Sequence, residues 1–124
     1  MPNLDELLAK WEEGYKKGLL SFWILLLLNQ EEMYAYEMTA VIADMSQQTV
    51  SVDEKSIYRA LKRFEDNQLI QSDVRKSDKG PPRRYFRLTE NGRLLLAKFC
   101  ERNILIFQEP RVAAAILKAI AADE

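Results

Sequence analysis

Residues 70–89 read IQSDVRKSDKGPPRRYFRLT, and this stretch decides the fold. Ile70, Ser72 and Val74 alternate with polar side chains, and the period of two returns between residues 84 and 88, which is typical of β-strands. Between these two runs Gly80 permits a positive φ, and the two prolines that follow it fix their own φ. We therefore expect two short strands joined as a hairpin with a protruding basic tip.

The segment before the hairpin, residues 53–67, has the period of an amphipathic helix. Three apolar side chains, spaced by four and three residues, form one stripe: Ile57, Leu61 and Phe64. Lysines and arginines lie on the other sides of the helix. An oxygen of Ser51 or Asp53 is suited to accept the free N–H groups of the first turn. One face of this helix is therefore expected to pack while the other presents positive charge.

The chain before residue 53 predicts further helices. Apolar residues recur at intervals of three and four from residue 4 to residue 22, and between residues 19 and 28 they lie all the way round, which indicates burial on every side. Gly14 and Gly18 stand where the first pattern gives way to the second, so we expect a bend or break there. The remaining segments are a polar connector over residues 29–33, a short helix over residues 34–45 and a loop over residues 46–52.

After the hairpin, Thr89 is suited to cap a last long helix that continues through Phe107. Pro110 suits the first turn of another helical piece, over residues 112–122. The order of helices and strands predicts a mainly α fold with a small β-hairpin (α+β), a winged helix-turn-helix with extra N-terminal and C-terminal dimerisation helices. The expected segments are an amphipathic helix (1–17), the winged helix-turn-helix (18–93) and the dimerisation helix or helices (94–124).

The composition removes most catalytic chemistry. The chain of 124 residues has no histidine and one cysteine, Cys100, which excludes His/Cys zinc sites, Ser-His-Asp and Cys-His nucleophiles, and disulfide scaffolds. Glycine-rich phosphate loops and a G-x-S-x-G motif are also missing, so we expect no enzyme, no cofactor and no metal site. The ten-residue apolar run is about half the ~20 residues that cross a bilayer. We expect a cytoplasmic protein of one domain, in which Cys100 is a small buried apolar side chain.

Positive charge is concentrated in one part of a chain whose net charge is −1. Residues 1–52 carry three basic and eight acidic residues, whereas residues 53–93 carry eleven basic and seven acidic ones. A neutral body with one basic edge can bind DNA through a limited number of phosphate contacts. A solvated charged face is the other interpretation of the same pattern.

In a winged helix-turn-helix the third helix lies in the major groove and the hairpin tip contacts phosphates or the neighbouring minor groove. Arginine can donate two hydrogen bonds at once to a base or phosphate, and lysine supplies a point charge. The expected DNA-binding residues of the helix are Lys55, Ser56, Tyr58, Arg59 and Lys62, and those of the wing are Lys79, Arg83 and Arg84.

Three segments carry a resemblance to a known family: YAYE at residues 34–37, SIYRALKRFE at residues 56–65 and GPPRRYFRLTENG at residues 80–92. The sequence between Lys17 and Leu95 resembles the PadR family of transcriptional regulators. Ala35 replaces the family's usual glycine, and Arg59 replaces its usual proline. The resemblance implies a dimeric winged-helix repressor whose C-terminal helix makes most of the dimer interface and which often responds to small aromatic or hydrophobic compounds. Because a homodimer relates its two third helices by a two-fold axis, we expect it to bind a pseudo-palindromic operator.

Several residues remain open to two interpretations. Tyr36 is expected to pack, Arg87 to pair with a carboxylate across the sheet, and Glu37 to be either a surface acid or a partner of a wing arginine. Trp23 is expected in the core. A small hydrophobic ligand or the dimer partner is expected near four aromatic residues, Trp11, Tyr15, Phe99 and Phe107. The alternative function is a winged-helix protein-interaction module without operator binding.

Overall fold

The structure, a computed structural model, describes residues 1–121. Helices predominate over these residues, and three short strands form one sheet. In chain order the elements are α1 (Leu4–Gly18), α2 (Leu20–Gln30), β1 (Met33–Tyr34), α3 (Ala35–Met45), α4 (Glu54–Asp66), β2 (Ile70–Arg75), β3 (Arg83–Leu88), α5 (Glu90–Phe99), a π-helical turn (Cys100–Ile104), a 3-10 turn (Leu105–Gln108) and α6 (Pro110–Ala121). The predicted winged helix-turn-helix order is confirmed.

The core lies between α2, α3 and α4 and is closed by the inner face of the sheet. The largest side chains that solvent does not reach are Ile24, Leu27, Met38, Ile42, Ile57, Leu61 and Ile70. The apolar stripe predicted for α4 is therefore the side of that helix that packs. Burying such side chains contributes about 1.5–3 kcal/mol each to folding, so this small domain has a core of its own.

The sheet has the order β1-β3-β2, and both pairs are antiparallel. Ser72 lies opposite Phe86 in the predicted hairpin. On the other side of β3, Met33 pairs with Phe86 and Tyr34 with Tyr85. The expectation of a polar connector over residues 29–33 is therefore wrong at both ends, because α2 continues through Gln30 and β1 begins at Met33. A strand of two residues is too short to show a period, so it is recognisable only from its partner.

Two caps form as predicted. The Oδ1 atom of Asp53 accepts the backbone N–H of Ser56 at 2.7 Å, and this bond lowers the pKa of Asp53 below its ordinary value. Asp53, rather than Ser51, is thus the N-cap of α4. At α5 the hydroxyl oxygen of Thr89 accepts the N–H of Gly92 at 3.1 Å. A Cβ at Gly92 would stand 2.1 Å from the carbonyl oxygen of Leu69, so the close approach of α5 to the end of α4 requires glycine.

The expected break in the N-terminal stretch occurs after Gly18, where Leu19 alone joins α1 to α2. Gly14 lies within α1 and does not interrupt it. The apolar run in α2 buries four residues within this chain, and its other apolar residues remain partly exposed. Burial on every side is therefore only partly achieved by the chain itself.

The expectation of one long helix through Phe107 is wrong. The α-helical hydrogen bonding of α5 ends at Phe99 and is followed by the π-helical and 3-10 turns. Neither glycine nor proline occurs between residues 100 and 108, so the sequence contains no helix-breaking residue there. Pro110 opens α6 as predicted, and Glu109 accepts the N–H of Val112 at 3.0 Å. The expected end at Ala122 lies outside the described residues.

Within residues 1–121, the helices are too short or too polar to span a bilayer.

Candidate nucleic-acid interface

The outward side of α4 is basic and unobstructed. Four residues on this side are exposed: Lys55, Tyr58, Arg59 and Lys62. Ser56 is half-buried, and its backbone N–H donates to the Asp53 cap. The inward side contains Ile57, Ala60, Leu61 and Phe64, which are all buried. The five residues expected to face DNA therefore belong to the part of α4 that the core leaves free.

The wing consists of β2, β3 and the turn between them. Gly80 has φ of +104°, a conformation that favours glycine, and the hydroxyl of Ser77 donates to the carbonyl of Lys79 at 2.8 Å. Lys79, Arg83 and Arg84 are exposed. All three residues expected at the wing are thus accessible to a ligand.

Both wing arginines are held in place by neighbouring side chains. The guanidinium carbon of Arg83 lies 4.5 Å from the centre of the Tyr34 ring, a cation–π contact. Arg84 donates from Nη1 to the hydroxyl oxygen of Ser72 at 3.0 Å, and that hydroxyl donates to Glu65 at 2.6 Å. The neighbouring side chains therefore hold the two guanidinium groups in defined orientations at the tip end of the wing strands.

The outer face of the sheet carries a network of ion pairs. Asp73 accepts from Arg75 at 2.9 Å and from Arg87 at 2.8 Å, and Arg75 also reaches Glu32 at 2.7 Å. These bonds, with that from Arg75 the largest, lower the pKa of Asp73 below its ordinary value. The predicted pairing of Arg87 with a carboxylate across the sheet is confirmed, and it links the two long strands below the tip.

A cleft of about 220 Å³ separates the wing from α3 and α4. We refer to it as the tyrosine cleft; its lining residues are Tyr34, Ala35, Tyr36, Tyr58, Pro82, Arg83, Arg84 and Phe86. The expectation that Tyr36 packs is wrong, since 70% of this residue is exposed. Tyr58 is 53% exposed. The start of α3 therefore contributes to the surface between the wing and α4.

Glu37 has a role that neither of its two interpretations included. Its Oε1 atom accepts the backbone N–H of Tyr34 at 3.1 Å, across the first turn of α3. A glutamate three residues after the cap commonly makes this bond, so the motif YAYE contained the signal. The carboxylate thus fixes the turn that presents Tyr36.

The four residues expected near a ligand or the dimer partner lie on the outer helical parts of the chain. Trp11, which is 77% exposed, and Tyr15 belong to α1, and Phe107 is exposed in the 3-10 turn. Phe99 is half-buried at the end of α5, where its ring lies 5.9 Å from that of Phe22. None of the four lines the tyrosine cleft.

Two further expectations concern the core. Trp23 is partly buried, packs against the core and meets the edge of Phe22 at 5.5 Å between ring centres, as predicted. Cys100 also packs against the core and is half-buried rather than fully buried.

Within residues 1–121, no group of three or more histidine, cysteine, aspartate or glutamate residues is placed so that it could hold a metal ion.

Comparisons with known proteins point to one family. The model of the transcriptional regulator PadR-like family matches residues 24–98. An uncharacterized protein of Lysinibacillus sphaericus is 26% identical over 82 residues, which cover 66% of this chain and 75% of that protein.

Solved structures agree with the family match. A transcriptional regulator from Clostridium thermocellum is 28% identical, with a TM-score of 0.65 over 73% of this chain and 88% of that one. PadR of Bacillus subtilis, solved in complex with operator DNA, is 25% identical, with a TM-score of 0.63 over 68% of this chain and 48% of that one. The match thus spans about half of the Bacillus subtilis chain.

Proposed function

Because the chain belongs to the PadR-like family of transcriptional regulators, we propose that it binds a pseudo-palindromic operator in double-stranded DNA and represses transcription as a homodimer. It acts in the cytoplasm. The observation that carries this proposal is the pair of exposed basic surfaces, on α4 and on the wing, at the two sides of the tyrosine cleft. The operator complex of the Bacillus subtilis relative supports the same role here.

The two surfaces have different tasks in this proposal. Lys55, Ser56, Tyr58, Arg59 and Lys62 of α4 face the major groove, where the first turns of the helix reach base edges. The wing residues Lys79, Arg83 and Arg84 bind phosphates or the adjacent minor groove. Arg59 and Lys62 are one turn apart on α4, so both can face the same groove.

The homodimer accounts for the outer helices. Neither α1 nor α6 has a buried residue, although each carries large apolar side chains. A second copy of the chain covers these faces, because exposed apolar patches of this extent mark interaction sites. In this division residues 1–17 and 94–124 form the interface, and residues 18–93 form the DNA-binding domain.

A small hydrophobic or aromatic ligand is proposed to bind where α1 meets the partner, near Trp11, Tyr15, Phe99 and Phe107. The aromatic side chains supply flat apolar surface for such a compound. The ligand acts through its different affinity for dimers with different spacing of their α4 helices. Tryptophan emission that stays unchanged across a panel of planar cationic and phenolic compounds would contradict this part of the proposal.

Selection from random duplex DNA tests the function. The purified protein is expected to enrich a two-fold-symmetric site, and the Arg83→Ala/Arg84→Ala variant to bind that site more weakly. Because each lost phosphate contact reduces the slope of log K against log salt by about 0.9, the double variant is expected to lower it by about 1.8.

The matched control removes two exposed cations outside the proposed DNA-binding surface, Lys98→Ala/Arg102→Ala, and should retain the slope. Because both residues lie in the segment proposed for the dimer interface, sedimentation must first show that this variant is dimeric. Failure to enrich any site, with protein shown to be folded and dimeric, would contradict operator binding. That outcome would favour the protein-interaction module.

A further inference from the structure

The tyrosine cleft has a wall chemistry that distinguishes it from the other grooves of the molecule. Its eight lining residues include two arginines and three tyrosines but no carboxylate. Four other grooves on residues 1–121 each include at least one aspartate or glutamate in their walls. The tyrosine cleft is therefore suited to a ligand that carries negative charge.

The arginines of the cleft retain their charge for a ligand. Among residues 1–121, neither Arg83 nor Arg84 has a carboxylate oxygen within 4.0 Å. Arg83 rests on an aromatic ring and Arg84 on a hydroxyl, so both are oriented by neutral groups. Arg75 and Arg87, on the same hairpin, differ in this respect because both pair with Asp73 and Arg75 also pairs with Glu32.

The tyrosines supply neutral donors at the opposite wall. Tyr36 and Tyr58 are largely exposed, and their hydroxyls make no hydrogen bond within residues 1–121. A tyrosine ring of this exposure gains little from burial, whereas a phenol hydroxyl donates readily to an anionic oxygen. Glu37 is not among the residues that line the cleft, and its Oε1 atom is held at the backbone N–H of Tyr34.

We propose that the tyrosine cleft binds one backbone phosphodiester of the operator, with the hydroxyls of Tyr36 and Tyr58 donating to its non-bridging oxygens while Arg83 and Arg84 balance its charge. This inference rests on the proposed function, since the phosphodiester belongs to the DNA that α4 reads. It adds Tyr36, and with it the first turn of α3, to the DNA interface. Binding of this phosphate fixes the position of the DNA backbone relative to the wing and to α4.

Tyr36→Phe removes the hydroxyl alone and leaves the exposed ring in place. Because hydrogen bonds to charged groups are among the stronger ones, we expect this variant to bind the selected duplex about tenfold or more weakly than wild type. The slope against salt is expected to remain unchanged, since no charge is lost, whereas Arg83→Gln lowers it by about 0.9. Tyr85→Phe is the matched control, because Tyr85 does not line the cleft, and it is expected to bind like wild type.

A second arm locates the contact on the DNA. Duplexes in which one phosphate at a time is replaced by a neutral methylphosphonate are titrated with wild type and with Tyr36→Phe. At one position in each half-site, wild type is expected to lose more affinity than Tyr36→Phe, because the variant has already lost the tyrosine contact and keeps only the contribution of Arg83 and Arg84 to that phosphate. An equal additional loss for both proteins at every position would overturn the proposal.

The outcomes separate this inference from the function it rests on. If wild type binds the selected duplex and Tyr36→Phe binds it equally well at every salt concentration, the phosphodiester site is wrong and operator binding stands. If wild type binds no duplex, operator binding is wrong and the cleft proposal falls with it. Far-ultraviolet circular dichroism of each variant shows that the fold is retained.

Discussion

The middle of the chain and its two outer helices contain similar apolar side chains, but the middle buries them and the outer helices expose them. From α2 to the first turn of α5 most of these side chains pack inward, and residues such as Ile24 and Leu27 are inaccessible to solvent. In α1 and α6 no residue is buried, and Leu117 is 66% exposed. Only the middle region completes its own core.

The difference shows that amphipathic periodicity predicts which face of a helix is covered, but does not predict which segment or partner covers it. The stripe of α4 packs against α3 and β2 within the same chain, whereas the stripe of α1 meets little beyond α2. Folding of the middle region is therefore expected to depend on residues within it. The stability of the outer helices is expected to rise with protein concentration, because they pack against the second copy proposed above.

The largest effect is expected from one substitution made at two glycines. Gly92→Ala places a Cβ 2.1 Å from the carbonyl oxygen of Leu69, so α5 must move, and we expect unfolding to become easier by about 1–3 kcal/mol or more. Gly14→Ala is the matched control in α1, where a Cβ meets no atom within 4 Å. There alanine is expected to favour the helix by up to about 1 kcal/mol.

Urea denaturation at one protein concentration measures both glycine variants. The two substitutions should change the midpoint in opposite directions. If Gly92→Ala were as stable as wild type, the close packing of α5 against Leu69 would not be required for folding. That result would contradict the conclusion that the buried region is stabilised by contacts within the chain.

An intermediate effect is expected at the exposed side. Leu117→Glu places a charge on the apolar face of α6, and sedimentation at micromolar concentration is expected to show monomer in place of dimer. Ala115→Glu adds the same charge about 200° further round the helix and should leave the dimer intact. A wild-type protein that sediments as a stable monomer would remove the dimer from the proposal altogether.

The smallest effect concerns the wing network. The folded-state pKa of Asp73 is lowered by Arg75 and Arg87, so its contribution to stability is present above its unfolded pKa of about 3.9 and is lost as the pH falls through the folded-state pKa. Asp73→Asn is therefore expected to be slightly less stable than wild type at pH 5–7 and equally stable in stronger acid. The effect is small because the pairs are exposed.

The control is Asp78→Asn in the wing turn, because Asp78 forms no ion pair within residues 1–121. Urea midpoints measured across this pH range should show the difference for Asp73→Asn alone. A gap between Asp73→Asn and wild type that widens as the pH falls would contradict the assignment.

Local signals predicted most of the fold. The period of two in β2 and β3, the stripe of α4 and the caps at Asp53 and Thr89 depend on neighbours within a few residues, and each was recognisable in the sequence. The pairing of Arg87 with a carboxylate across the sheet was also predicted, because side chains on adjacent strands of a hairpin lie close together; Asp73 and Arg87 are fourteen residues apart in sequence.

The features that were not predicted depend on contacts between distant segments. Strand β1 exists because Met33 and Tyr34 pair with β3 about fifty residues later in the sequence. The same pairing places the first turn of α3 beside the wing, so the exposure of Tyr36 could not be predicted from the spacing of residues 34–45. The turns after Phe99 likewise contain no glycine or proline to mark them.

The single-residue junction at Leu19 has a mechanical consequence. With 15 residues at about 1.5 Å each, α1 is about 22 Å long, so a 10° change in its angle to α2 moves its far end by about 4 Å. The axial spacing of successive phosphates on one DNA strand is about 3.4 Å. A rotation of 10° at this one residue would therefore displace the far end of α1 by roughly one base-pair step.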